Sequence, residues 1–312
     1  MDVTIAICTY NNAAQLRLTV KSLMDLRPVP GVAHEILVVD NNCSDDTAAV
    51  VRDLSPLSGG KLRSVAEPRQ GLSYGRNRAL YESKADIVCF IDDDVRVDPH
   101  WLAAVVSAFQ DHQANVVGGR SYLIFENTPP NWVSPRIEIS LSKCDYGNSR
   151  LINPAAGLFG LNFSVRRLAA IAVGGFNPTL GRIGKRLMNG EEIDLQNRIA
   201  ASGGVVVYEP AAVVGHRISS ARLRRSWFMR REYWEGISMG IADRTRGKPR
   251  MILGSLNQFV RCSGNYCRVA ITGNQTPSLV FERLLNAVRA FGYFQSAVSS
   301  QIRKSAELNR NF

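Results

Sequence analysis

A chain of 312 residues with 45% hydrophobic side chains and 25 aromatic ones can bury a real core, which excludes global disorder. The formal charge of +11 is unevenly spread: residues 1–214 hold 21 basic and 22 acidic side chains, whereas residues 215–312 hold 17 and 5. A uniformly basic nucleic-acid coat is therefore disfavoured against a near-neutral body with a basic appendage.

The first 120 residues alternate strand and helix. Residues 2–8 read as a buried strand, and Leu16, Val20, Leu23 and Met24 form one face of a helix over 13–26. A second strand at 35–39 precedes a helix start at Ser44-Asp45-Asp46-Thr47. A third strand falls at 61–66, a helix runs through Arg76 to Tyr81, and residues 86–91 are the strongest strand. Asp98-Pro99 then reads as a cap and first-turn proline, opening a helix with Trp101, Leu102, Val105, Val106 and Phe109 inward. Apolar strands between amphipathic helices predict an α/β fold with a mostly parallel sheet covered on both faces. The proline-bearing stretch 120–155 reads as irregular, 158–165 as a strand, 166–173 as a short helix and 177–190 as a basic, Gly-rich loop. A helix begins near Glu191, a strand spans Val205 to Tyr208, and helices follow over 221–243 and within 278–302.

No apolar run approaches the roughly 18 residues of a membrane span. Met1 to Thr4 lead straight into a strand, so no signal peptide is expected. Six cysteines without C-x-x-C spacing fit a reducing cytosol.

In a parallel sheet, ligands sit beyond the carboxyl ends of the strands. Three such ends are polar here: Thr9-Tyr10-Asn11-Asn12, Asp40-Asn41-Asn42 and Asp92-Asp93-Asp94. No G-x-G-x-x-G or G-x-x-x-x-G-K turn accompanies them, which argues against NAD enzymes and P-loop NTPases. Three adjacent acids repel unless a cation neutralises them, and a divalent metal shared with a diphosphate does so.

ICTYNN at 7–12, ILVVDNNCSDDT at 36–47, GLSYGRNRAL at 71–80, FIDDDV at 90–95, NGEEIDLQNRI at 189–199 and VGHR at 214–217 stand in a set order. Together they resemble glycosyltransferase family 2, the inverting GT-A type, over roughly residues 3–220. RRSWFMRREYWEGIS at 224–238 looks like the tail of bacterial members that build surface polysaccharides.

The resemblance implies a hexosyl-transferring enzyme using a nucleoside-diphosphate sugar, UDP-linked, and Mn²⁺ or Mg²⁺. Residues 1–118 would bind the nucleotide sugar, 119–220 the acceptor, and 221–312 would form a basic helical tail. Thr9, Tyr10 and Asn11 would line the nucleotide pocket. Asp40 would accept from the base N–H, or else be a helix-entry cap. Arg76 would lie near base or phosphates, or else be a solvated helix arginine. Asp92 and Asp94 would form the D-x-D pair, with Asp92 towards the ribose, Asp94 on the metal and Asp93 on the sugar or the metal. His216 would be a third metal contact, or else a histidine at a strand end. Inversion needs a base for the acceptor hydroxyl. Glu191 and Glu192 are the candidates; the family pattern is Glu-Asp, so the longer Glu192 leaves the choice open, with Glu192 favoured.

Arg182, Lys185 and Arg186 would form a lid over diphosphate or a solvated loop, and Trp132 would stack on a sugar or belong to the core. The arginine–aromatic tail suits an anionic membrane or a polyprenyl diphosphate. That places the chain in the cytoplasm, peripheral to the inner face of the membrane, with a glycan or polyprenyl-diphosphate-linked acceptor. Competing readings are a nucleotidyltransferase and a catalytically silent glycan- or nucleic-acid-binding protein. TYNN, where a Gly/Arg/Lys-rich loop belongs, opposes the former; the ordered acids oppose the latter.

Overall fold

A computed structural model describes residues 1–247, 252–271 and 275–308. Residues 248–251, 272–274 and 309–312 of the expected tail lie outside the described residues. The chain divides into two compact units. The first comprises residues 1–124, 142–178 and 191–218; the second comprises 125–141, 179–190 and 219–312.

The first unit is built on a nine-stranded mixed sheet of order β3-β2-β1-β4-β8-β6-β9-β5, with β7 on β9. Its parallel half holds β1 (Asp2–Thr9), β2 (Ala33–Asp40), β3 (Leu62–Ala66) and β4 (Ile87–Ile91). The other half holds β5 (Val95–Val97), β6 (Val116–Phe125), β7 (Leu151–Ile152), β8 (Asn162–Arg166) and β9 (Val206–Ile218). There β8 runs antiparallel to β4 and β6, and β9 antiparallel to β5 and β7. The alternating pattern predicts only the parallel half; the reversal follows the long segment after β6, where helical crossovers cease.

The period-2 geometry of a strand splits its side chains between two cores. Val3, Ile5 and Ile7, with Ile36, Val38, Ile87, Cys89 and Ile91, face one side. There they meet Leu16, Val20 and Leu23 of α1 (Ala13–Met24), Val50 and Leu54 of α2 (Thr47–Leu54), and Trp101, Leu102 and Phe109 of α4 (Trp101–Asp111). Ala6, Leu37, Val39, Val88 and Phe90 face the other side. They meet Ala79 and Leu80 of α3 (Leu72–Glu82), Ala170 of α6 (Arg167–Ala172), and Leu195 and Ile199 of α7 (Glu191–Ala201). Trp101 is fully buried, and its indole N–H donates to Asn162 Oδ1 at 2.8 Å. Truncating such a side chain to alanine costs about 3–5 kcal/mol. α4 starts two residues later than Asp98-Pro99 suggests, because Asp98 closes the preceding turn by accepting from His100 N–H at 2.8 Å.

The second unit contains α5 (Pro135–Ile139), α8 (Arg225–Thr245), α9 (Ile252–Ile271) and α10 (Pro277–Leu308). The periodicity predicts α8 and α10 but not α9. The rings of Trp132, Phe228 and Phe281 pack edge-to-face at 5.0–6.4 Å, so Trp132 is a core residue of this unit rather than a free platform. α8 and α10 approach to backbone contact: a Cβ on Gly236 would lie 2.0 Å from Arg289 O. The basic loop 179–190 also belongs to this unit, and its Lys185 carbonyl accepts from Arg230 Nη2 at 3.2 Å. Among the described residues no helix is long and apolar enough to cross a membrane.

Candidate active site

The carboxyl ends of β1, β2 and β4 form one polar edge, cross-linked by their own side chains. Thr9 Oγ1 donates to Asp93 Oδ2 at 2.6 Å and Asn12 Nδ2 to Asp93 Oδ1 at 2.7 Å. Burial, and then the neighbouring Asp94, push the Asp93 carboxyl up to about 7, against those two hydrogen bonds. Thr19 of α1 donates to the Asp93 and Val95 carbonyls, pinning the acidic turn from beneath.

Asn11 adopts φ +52°, and its Oδ1 accepts from Ser44 N–H at 2.7 Å. Cys43 stands in the turn after β2. Its thiol donates to Thr9 O at 3.5 Å and accepts from Asn11 N–H at 3.3 Å, so it latches the β1 and β2 ends together. Asp40 Oδ1 accepts from Cys43 N–H at 2.8 Å, and since α2 is entered at Asp46 it is not a helix-entry cap. Tyr10 is exposed beside them.

Asp94 is buried, and its Oδ1 lies 3.3 Å from His216 Nε2, itself buried. Strand register sets this meeting: β5 pairs with β9 so that Val95 faces His216, and Arg217 N–H donates to Asp94 O at 2.9 Å. Among the described residues no three His, Cys, Asp or Glu side chains converge as a metal cage. One carboxylate and one imidazole at this spacing fit a cation whose remaining ligands come from a substrate.

Arg76 is not the solvated helix arginine of the alternative reading. It is only 2% exposed and lies against the edge-to-face pair Phe90 and Phe176, 5.7 and 5.5 Å from their ring centroids. Its Nη1 donates to Glu191 Oε1 at 2.8 Å, and its Nη2 to Asp92 Oδ1 at 3.3 Å and Gly160 O at 3.1 Å. The arginine thus ties the first acid of the D-x-D turn to the start of α7. α3 packs on β1, β2 and β4, which carries Arg76 under the sheet edge instead of into solvent.

Glu191 and Glu192 are both buried in the first turn of α7. Glu192 Oε1 accepts from Gly160 N–H at 3.3 Å, and its Oε2 is buried without a hydrogen-bond partner. Burial, and then the charge of Glu191, raise the Glu192 carboxyl to about 8, with Arg76 pulling the other way. A carboxylate of that basicity is suited to take a proton from a hydroxyl.

Sequence reasoning missed three contributors. Gly160 meets Arg76 through its carbonyl and Glu192 through its N–H, and a Cβ there would lie 2.5 Å from Arg76 Nη2. Asn12 was legible as part of the polar strand end. Thr19 carries no local signal, being one polar residue on an apolar helix face.

The chain matches the sequence profile of "Glycosyl transferase family 2" over residues 4–174. It is 27% identical over 254 residues to the glucosyl-dolichyl phosphate glucuronosyltransferase of Haloferax volcanii, covering 78% of each chain. It is 26% identical over 251 residues to the succinoglycan biosynthesis protein ExoM of Rhizobium meliloti, covering 79% of this chain and 77% of that one. Among solved structures it resembles the mannosyltransferase PcManGT from Pyrobaculum calidifontis, in complex with GDP-Man and Mn²⁺. The TM-score is 0.57 at 18% identity, covering 98% of this chain and 79% of that one. The mixed sheet flanked by helices is the GT-A architecture. With the profile spanning more than half its length, the chain belongs to glycosyltransferase family 2, and it is a glycosyltransferase of glycan biosynthesis.

Proposed function

We propose that the enzyme transfers a sugar, with inversion, from a UDP-linked donor to a hydroxyl of a glycan or polyprenyl-diphosphate-linked acceptor. The observation that carries this reading is the electrostatic inequality of Glu191 and Glu192: Arg76 neutralises the first and leaves the second basic. Glu192 takes the acceptor hydroxyl's proton as that oxygen attacks the anomeric carbon from the face opposite the diphosphate. Glu191 and Arg76 position the start of α7, and Arg76 orients Asp92 towards the ribose. Asp93, held by Thr9 and Asn12, faces the transferred sugar. Thr9, Tyr10, Asn11 and Asp40 line the nucleotide end.

Asp94 and His216 would hold Mn²⁺ or Mg²⁺, with Asp92 beside them. When bound, that cation supplies positive charge next to the departing diphosphate.

The names of two relatives, one acting at a dolichyl phosphate and one in succinoglycan biosynthesis, support a growing surface glycan on a lipid carrier as acceptor. A peripheral position on an anionic cytoplasmic membrane face is supported by α9. Leu253, Val260 and Ile271 stand exposed there beside exposed Arg261 and Arg268.

A thermal-shift screen of nucleoside diphosphates and nucleotide sugars, with and without Mn²⁺, tests the donor. UDP and one UDP-sugar are expected to stabilise the protein only with Mn²⁺. Stabilisation by GDP instead would change the base assignment, and the absence of any nucleotide effect would sink the reading.

A further inference from the structure

The second unit encloses a cleft of about 230 Å³ lined by residues of α5, α8, α9 and α10. That space is ample for one or two phosphate groups. Three guanidiniums reach its wall, Arg136 from α5 and Arg283 and Arg289 from α10, and no carboxylate lines it. Arg289 is paired with buried Glu232. Arg136 lies 4.0 Å from Glu282 and donates to Asn286 Oδ1 at 3.3 Å. Arg283, half-buried, has no ion-pair or hydrogen-bond partner among the described residues. On α9, Gln258 and Asn265 stand two turns apart on the face lining the cleft and bring amide donors to it. A partly desolvated cation without a counter-charge is costly, and planar guanidinium forks match phosphate oxygens bidentately.

We propose that this cleft is a binding site for a phosphomonoester or diphosphate group, separate in its residues from the donor site. A phosphate group neutralises Arg283 and, with more acceptor oxygens than a carboxylate, also serves Arg136 and the amides. The group comes either from a lipid headgroup or from a soluble phosphate.

The test is calorimetric titration of inorganic pyrophosphate into the full-length protein in EDTA. Wild type, Arg283→Gln, Arg283→Lys and Asp94→Asn are compared. Saturable binding is expected in wild type and in Asp94→Asn, weaker by about tenfold in Arg283→Gln and largely restored in Arg283→Lys. Equal binding by Arg283→Gln overturns the proposal. Binding that tightens markedly in Asp94→Asn also overturns it, because without metal the loss of that carboxylate favours pyrophosphate only at the donor site. A failed donor screen leaves this result untouched, since neither metal nor nucleotide is present. Co-sedimentation with phosphatidylcholine vesicles, with and without phosphatidic acid, separates the sources. Arg283-dependent capture by phosphatidic acid supports a lipid phosphate, and pyrophosphate binding without vesicle capture supports a soluble one.

Discussion

Glu191 and Glu192 are neighbours in one helical turn, yet Arg76 donates to Glu191 Oε1 at 2.8 Å while Glu192 Oε1 accepts from the Gly160 N–H at 3.3 Å. The first is closed by a guanidinium, and burial beside that first glutamate raises the carboxyl of the second.

Glu192→Gln is expected to keep donor affinity and lose roughly 10²–10⁴-fold in transfer rate. Glu191→Gln is expected to act mainly on stability, costing about 1–3 kcal/mol as Arg76 loses its closest charged acceptor. Single-turnover transfer and denaturant unfolding of both variants check this. A rate loss confined to Glu191→Gln would move the base by one residue.

The pH dependence follows from Glu192 standing near 8 against an ordinary 4.5. Transfer requires the ionised form, so the rate is expected to rise about tenfold per pH unit below that value and level off above it. Stability runs the other way. Between 4.5 and 8 the folded protein binds a proton at this site that the unfolded chain has released, so this contribution is lost as pH rises through 8. Glu192→Gln removes the titration, and melting temperatures from pH 5 to 9 are expected to decline less in the variant than in wild type.

Metal removal is expected to abolish transfer. Asp94→Asn is expected to lower the rate by about 10²–10³-fold at saturating donor. His216→Gln is expected to raise the Mn²⁺ concentration giving half-maximal activity by roughly tenfold or more. Full activity in EDTA would remove the metal from the mechanism.

Gly160→Ala places a Cβ 2.5 Å from Arg76 Nη2 and 2.7 Å from Nη1. The guanidinium is buried against Phe90 and Phe176 and bonded to Asp92 and Glu191, so giving way to the Cβ loosens those bonds. The expected cost is about 1–3 kcal/mol. The acid limb of the rate profile is expected to shift to higher pH, because Arg76 lowers the Glu192 carboxyl. Unfolding curves and a pH profile of the variant check both effects.

The parallel half of the sheet was legible because its strands are continuous apolar runs and its helices repeat at 3.6 residues. β9 was legible only to Tyr208. Pro210 has no N–H to donate and reads as a stop, but the strand changes neighbours across it, pairing with β7 before and β5 after. α9 was missed because Gly254, Asn257, Gly264 and Asn265 dilute its apolar repeat, and Ser255 alone is buried along it. The acids of the site were visible as local motifs. Their division of labour was not, since Arg76 reaches Glu191 across 115 residues of chain and Gly160 meets both only in three dimensions.

The Val95–His216 register has a consequence for how this protein tolerates change. Side chains alternate along a strand, so a single-residue insertion or deletion in β5, or between Ala212 and Gly215, turns His216 to the opposite face while leaving every residue of the pair in place. The imidazole–carboxylate distance is a property of the ladder rather than of either side chain. Length changes there are therefore expected to be as damaging as substitution of the histidine itself, whereas point substitutions at the exposed Arg96 are not.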